Sequence, residues 1–205
     1  MISLAHLRNL SCSIVPGWSD DRAAQLVEFA VSLPLLVVFV VGIFDFSNAF
    51  TLKQKLTNVA RDAARAAAAD PANDLNLPSP VPASVVDAFQ VVHNYLLANK
   101  LNDCGVSATP SSNKLTWTYT GTTNCPFGGL TLVINRGYYF PSTGVASPAA
   151  TCTQANPGGG TAVVGTCVSI QYAYPWRFGR VASLLGSTTV LPNTITALAV
   201  ALNEN

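Results

Sequence analysis

Residues 20–69 read DDRAAQLVEFAVSLPLLVVFVVGIFDFSNAFTLKQKLTNVARDAARAAAA. From Phe29 to Phe44 only Ser32 and Pro34 interrupt a run of apolar residues and glycine, and Leu26 and Val27 extend it on the far side of Glu28. At 1.5 Å rise per residue, Leu26 to Phe44 makes roughly 28 Å of helix, close to the ~30 Å of a hydrocarbon core. No breaker follows. Past Asp45, residues Phe46, Ala49, Leu52, Leu56, Val59, Ala63 and Ala66 recur at steps of three and four, while Lys53, Lys55, Arg61, Asp62 and Arg65 lie off that stripe. Pro71 and the segment it opens, PANDLNLPSPVP, end the pattern near Asp70. One helix over about residues 24–70 is therefore expected, membrane-spanning over about 26–44 and amphipathic beyond, with an Ala-rich stripe suited to close packing.

Outward from this helix, composition narrows the function classes. A chain of 205 residues with 49% hydrophobic and 10% charged residues is too apolar for a disordered protein. It fits one membrane element plus a modest domain. The net charge is +1, and the basic residues are scattered without interleaved aromatics, so nucleic acid is not an expected partner. The segment before the run, MISLAHLRNLSCSIVPGWSDD, is long and polar, and no small-x-small site follows the run, against a secretory signal peptide. Cys12 has no apolar region before it, against a lipobox.

Cys104, Cys125, Cys152 and Cys167 all follow the run, in a half rich in Gly, Pro, Ser and Thr. An even set there reads as two disulfides in an oxidising compartment, with four buried thiols as the alternative. Of the possible connectivities, Cys104 with Cys125 and Cys152 with Cys167 is favoured, because each pair brackets a turn-rich segment. A positive-inside count, with Lys53, Lys55, Arg61 and Arg65 after the span, would put the C-terminal half in the cytoplasm. The cysteines argue the reverse, and those basic residues belong to a structured helix rather than a short loop.

Residues 71–83 form a Pro-rich linker, and residues 84–205 an α+β distal domain. Ser84 with Asp87 reads as a capping signal for a helix over 84–100, with Val85, Phe89, Val92 and Leu96 on one face. LTWTYT (115–120) and LTLVI (130–134) flank GTTNCPFGG as a hairpin with a long loop. VGTCVSIQYAY alternates through Val164, Thr166, Val168, Ile170, Tyr172 and Tyr174, with Cys167 on the other face, and TITALAVALN is a further strand. An antiparallel sheet of three to five strands, covered by both helices, follows. Of His, only His93 lies after the run, and no nucleophile elbow, phosphate loop or metal-spaced cluster occurs; NPGGG (156–160) lacks the Lys and helix of a phosphate loop. An enzyme is not expected, nor a cofactor or metal site.

The stretch RAAQLVEFAVSLPLLVVFVVGIFDFSNAFTLKQKLTNVARDAARAAA resembles the TadE-like family of pilin-like proteins of bacterial tight-adherence (Flp) pili. The L-V-E-F start, the proline within the run, F-D-F after it and K-L-T-N-x-A-R-x-A-A-R carry the resemblance from Arg22 to Ala69. CVSIQYAYPWRF and ITALAVALNEN look like the family's closing strands, far less distinctively. The resemblance implies a type IV pilin-like architecture and a leader, residues 1–23, cut by a prepilin peptidase between Ala23 and Ala24. Family members usually carry Gly before the cut; Ala23 is still small enough for a narrow subsite. Glu28, with Phe29 and Pro34, would then serve assembly with other pilin subunits and pilus-assembly membrane proteins, Glu28 by pairing with the new α-amino group of Ala24. A carboxylate hydrated at the membrane interface and a harmless proline kink are the plainer readings. The implied role is a minor pilin or pseudopilin in the inner membrane, with its C-terminal domain in the periplasm or outside, acting in pilus assembly and adhesion. A permanent single-pass scaffold of the pilus machine and an unrelated bitopic periplasmic binding module are the alternatives.

Overall fold

A computed structural model describes residues 21–71, 73, 80–113, 115–126, 128–140, 152, 163–182 and 191–204. Most of the expected leader, with Cys12, most of the Pro-rich linker and the NPGGG loop lie outside them. The chain divides into two units, residues 1–40 and 41–205.

Helix α1, Asp21–Ala69, begins three residues before the expected start and ends where Pro71 requires. Pro34 is inside it. In the first unit its side chains from Ala24 to Val40 are exposed except at Val38. They are too apolar for water, and Ala24–Ala69 is long and apolar enough to cross a membrane. In the second unit the same helix buries one stripe: Gly42, Asp45, Ala49, Leu52, Leu56, Val59, Ala60, Ala63, Ala64 and Ala67. The basic residues Lys53, Arg61 and Arg65 lie outside, as a 3.6-residue period dictates.

That stripe packs with helix α2, Ala83–Ala98, on a five-stranded antiparallel sheet. The strands are β1 Ser111–Asn113, β2 Thr116–Gly121, β3 Leu130–Phe140, β4 Val163–Ala173 and β5 Thr194–Leu202, ordered as in the chain. The register lines up rungs of core residues across the sheet. Trp117 opposes Ile134, which opposes Val168, which opposes Ala199; Tyr119, Leu132, Ile170 and Ala197 form the next rung. Every one of these is buried, so strand alternation puts a continuous apolar face under the helices. A short helix α3, Phe178–Ala182, lies between β4 and β5.

Helix α2 presents Val85, Phe89, Val92 and Leu96 to the core, the face expected from its sequence. The expected cap is not made. Pro82 occupies the N-cap position, and its carbonyl accepts the N–H groups of Val85 and Val86. The residue ahead of a helix start after V-P is already held extended by proline, which moves the start back and draws Ser84 into the first turn, where it is buried.

Cys104 and Cys125 form a disulfide with Cα atoms 5.4 Å apart, and Cys152 and Cys167 another at 5.5 Å. The first closes the turn beside the β2–β3 hairpin, where Asn102 accepts the Cys104 amide and donates to the Asn124 carbonyl. Gly129, with φ of +74°, lets the hairpin loop cross within contact of Gly121, where any side chain would collide with the Gly121 carbonyl. The second disulfide packs with Tyr138 on the sheet's other face, so the parity of Cys167 against Val168 is the one read from the alternation.

Strand β3 runs well past the expected LTLVI because it contains a bulge between Asn135 and Tyr138. The extra residue keeps Arg136 on the helix-covered side and turns Tyr138 to the opposite face. Arg136 is 1% exposed. Its guanidinium donates to the Ala67 carbonyl, to the Asp70 carbonyl at 3.1 Å and to Thr166 Oγ1 at 2.9 Å. The Glu204 amide takes the Ala68 carbonyl at 3.3 Å. The last carbonyls of a helix have no partner within it and carry the negative end of its dipole, so a buried cation there answers both needs. Arg136→Met should lower stability by about 3 kcal/mol through the orphaned carbonyls. Arg136→Lys should recover little, since an ammonium lacks the guanidinium's fork. Thermal unfolding of the detergent-solubilised chain reads both, and an unchanged Tm for the Met variant would refute the assignment.

Candidate functional site

The apolar run ends at Phe44, and the next residue is buried. Asp45 is 4% exposed. The stripe therefore passes through Gly42, Asp45 and Ala49, where Phe46 had been expected on it; Phe46 is 48% exposed. Counting apolar residues cannot detect a carboxylate that packs inward because the fold supplies its donors.

Those donors come from the segment after β4, YPWRF. The Asp45 Oδ2 atom accepts the backbone N–H groups of Arg177 and Phe178, each at 2.8 Å. The Tyr174 hydroxyl lies 3.0 Å from both Asp45 Oδ1 and the Asp45 carbonyl. A carboxylate with three donors at the start of a helical turn acts as a cap supplied from elsewhere in the chain. It fixes α3 against α1, and the Phe178 ring accordingly lies where a side chain on Gly42 would be only 3.1 Å from it. Around this contact Phe46 meets Trp176 and Phe178 with ring centroids 5.2 Å and 5.8 Å apart, and Tyr174 meets Trp176 edge-on at 4.8 Å. The Trp176 indole donates to the Pro192 carbonyl at 2.6 Å. Tyr and Trp with an apolar body and a satisfied polar tip are the residues that suit a membrane–water boundary.

Of the residues singled out in the sequence, the four cysteines are brought together as two pairs. Ala24 and Glu28 share a face of α1, four residues apart, and Glu28, Phe29 and Pro34 are exposed. Ala23 lies in the first turn of α1. His93 is 3.6 Å from Asp103, an ion pair tying α2 to the following loop when the imidazole is protonated. Among the described residues no group of three or more His, Cys, Asp or Glu could hold a metal ion. The sequence pattern did not flag Asp45 as buried, Tyr174 as its partner or Arg136 at all. The signal available was YPWRF itself, an aromatic and cationic cluster directly after a strand.

The model of the TadE-like protein family matches residues 23–65. Over these residues the helix is similar to the TadE-like family. The match covers the apolar run, Asp45 and most of the buried stripe, so the segment that carries the likeness is also the one on which the sheet domain is built. Among curated proteins and solved structures, none matches the chain. The TadE-like family is structural and pilus-associated.

Burial, with the hydrogen bond to Asp45 next, pushes the Tyr174 phenol from 10.0 up to about 12. The neutral phenol is the form the fold favours, so its contribution is full below pH 10 and is lost as pH rises through about 12. Tyr174→Phe should remove part of the alkaline loss of stability in that window, measured by unfolding across pH. Asp45→Ala leaves two part-buried amides without their acceptor and should cost about 2 kcal/mol locally, roughly 30-fold in opening of the 174–182 segment. Trypsin cleavage after Arg177 and Arg180 should accelerate accordingly, with Asp45→Asn intermediate; equal cleavage rates would show that the carboxylate does not hold the segment.

Proposed function

We propose that the chain is a pilin-like structural subunit, a minor pilin or pseudopilin, of a tight-adherence pilus. The TadE-like match over residues 23–65 carries this reading. α1 anchors the subunit in the inner membrane, and the disulfide-bonded domain, residues 84–205, stands on the periplasmic side. A prepilin peptidase removes residues 1–23 on the cytoplasmic side. The new α-amino group on Ala24 then lies one helical turn from Glu28, close enough to pair with its carboxylate within the chain or in a neighbouring subunit. Pro34 gives up one helix hydrogen bond, which the packed environment of an assembly tolerates. Its partners are other pilin subunits and the membrane proteins of the assembly machine, and it is a structural element, not a catalyst.

A permanent single-pass scaffold is favoured by one observation. α1 starts at Asp21, so the bond between Ala23 and Ala24 is helical in the uncut chain. The first turn of a helix has unpaired amides and frays cheaply, which leaves cutting open to a peptidase. Mass spectrometry of the chain purified from membranes decides between them: a terminus at Ala24 is expected, and an intact leader would refute processing. Glu28→Gln should leave membrane insertion unchanged and reduce the amount of this chain in sheared pili severalfold; normal incorporation would remove Glu28 from the assembly mechanism.

A further inference from the structure

The two disulfides differ in their surroundings. Cys152 and Cys167 are both buried, and the Asn135 side-chain amide donates to the Cys152 carbonyl at 2.7 Å. In the other pair Cys104 is buried, but Cys125 is only half-buried and stands between exposed Asn124 and Pro126. Exchange begins when a thiolate reaches one sulfur, so access decides which bond opens. Of the four paired cysteines, Cys125 alone is not buried. The backbone at this bond is also held where its residues do not prefer to be. The Val106 amide donates to the Asp103 carbonyl at 3.1 Å, and the two residues between them, Cys104 and Gly105, have φ of +57° and +59°. Two successive positive φ values are the type I′ pattern, which Gly, Asn and Asp fill readily and a cysteine does not. Asn124, directly ahead of Cys125, has φ of +57° as well. The turn is kept in this form by Asn102 Oδ1 on the Cys104 amide, by Asp103 Oδ1 on the Gly105 amide and by the Thr123 amide on the Cys104 carbonyl. A β-carbon in the left-handed region is a local strain, and opening the cross-link lets Cys104 leave it. Access and strain act in the same direction, toward easier reduction of this disulfide than of the other.

We infer that the Cys104–Cys125 disulfide is a thiol–disulfide exchange site, entered at Cys125 by a dithiol reductant, while Cys152–Cys167 is a structural cross-link. In the first step a thiolate of the reductant bonds to Cys125 Sγ, and Cys104 Sγ leaves with the electron pair of the broken bond and takes up a proton. The reductant's second thiolate then bonds to its own first sulfur, and Cys125 Sγ leaves and is protonated. Two electrons have passed to the protein, and the reductant is left as a disulfide. What this releases is local. The connection after α2 loses its covalent tie to the exposed stretch Thr122–Asn124 of the β2–β3 loop, while the rungs of the sheet and the second disulfide stay as they are. The site loosens one pair of loops without unfolding the domain. It goes beyond the pilin reading and does not depend on it.

The test uses the full-length oxidised chain in detergent, with Cys12 blocked by alkylation beforehand. It is treated with dithiothreitol for graded times, quenched in acid, alkylated and mapped by peptide mass spectrometry. Cys104 and Cys125 should become alkylated roughly tenfold faster than Cys152 and Cys167. Brief treatment with glutathione in place of the dithiol should leave its adduct on Cys125, and amide exchange of residues 103–106 should rise at this stage while that of the sheet rungs does not. A second arm reads the strain: with Cys125→Ser in both, the Cys104→Gly variant should melt higher than Cys104→Ala, because Gly adopts a positive φ freely. Equal reduction rates, earlier opening of Cys152–Cys167 or an adduct on Cys104 overturns the exchange site, as does a non-reducing map in which Cys104 and Cys125 are not joined. An Ala variant as stable as the Gly variant overturns the strain as a contributor.

Discussion

Helix α1 must satisfy two solvents along one backbone, and Asp45 is the residue at which the demand changes. Between Phe29 and Phe44, side chains need mainly be apolar, and their exact order matters little to a lipid. After it, one face must fit a protein core while the other carries Lys53, Arg61 and Arg65 in water. A carboxylate at the junction would be costly to bury unpaired. The segment after β4 meets that cost with two amides and a phenol, and by doing so ties the helix to the sheet at that position. Arg136 does the corresponding work where α1 ends, with a cation on carbonyls in place of a carboxylate on amides. Tyr174 directly follows β4, and Thr166 near the strand's start accepts from Arg136, so polar contacts hold the core stripe near Asp45 and again near Ala67.

Between those ends the packing is apolar and made of small residues on the helix. Ala60, Ala63, Ala64 and Ala67 are all buried, opposite a sheet that supplies the bulk through Trp117, Tyr119, Leu132 and Ile170. Small side chains let a helix approach closely, so most of the buried area comes from the larger residues facing it. Phe89 on α2 stacks on Tyr119 with ring centroids 4.4 Å apart, which joins the second helix to the same rung.

The sequence made the elements legible and missed the polar contacts that locate them. Helix α1, the inward face of α2, the β2–β3 hairpin and the parity of β4 all follow from period and breakers, because each depends on residues near one another in the chain. The burial of Asp45 was not legible, because an apolar stripe is counted in apolar residues, and the count chose Phe46 in its place. Arg136 was invisible for a different reason. Its position depends on a bulge, and its partners lie on α1, on β4 and near the C-terminus, so no local pattern carries it. The Ser84 cap failed because a backbone carbonyl from Pro82 filled the role that a side chain could have taken.

The same distinction bears on how this helix carries its domain. The family match ends at residue 65, and past it the carbonyls of Ala67, Ala68 and Asp70 accept from Arg136 and the Glu204 amide. In this chain the helix is met by two polar devices: amide and phenol donors for Asp45, and the Arg136 guanidinium for the helix end. Both are supplied here from strand ends and a bulge, places where chain length and loop sequence vary at little cost to the sheet. The rungs between them need only volume. The helix thus sets where this domain places its polar contacts.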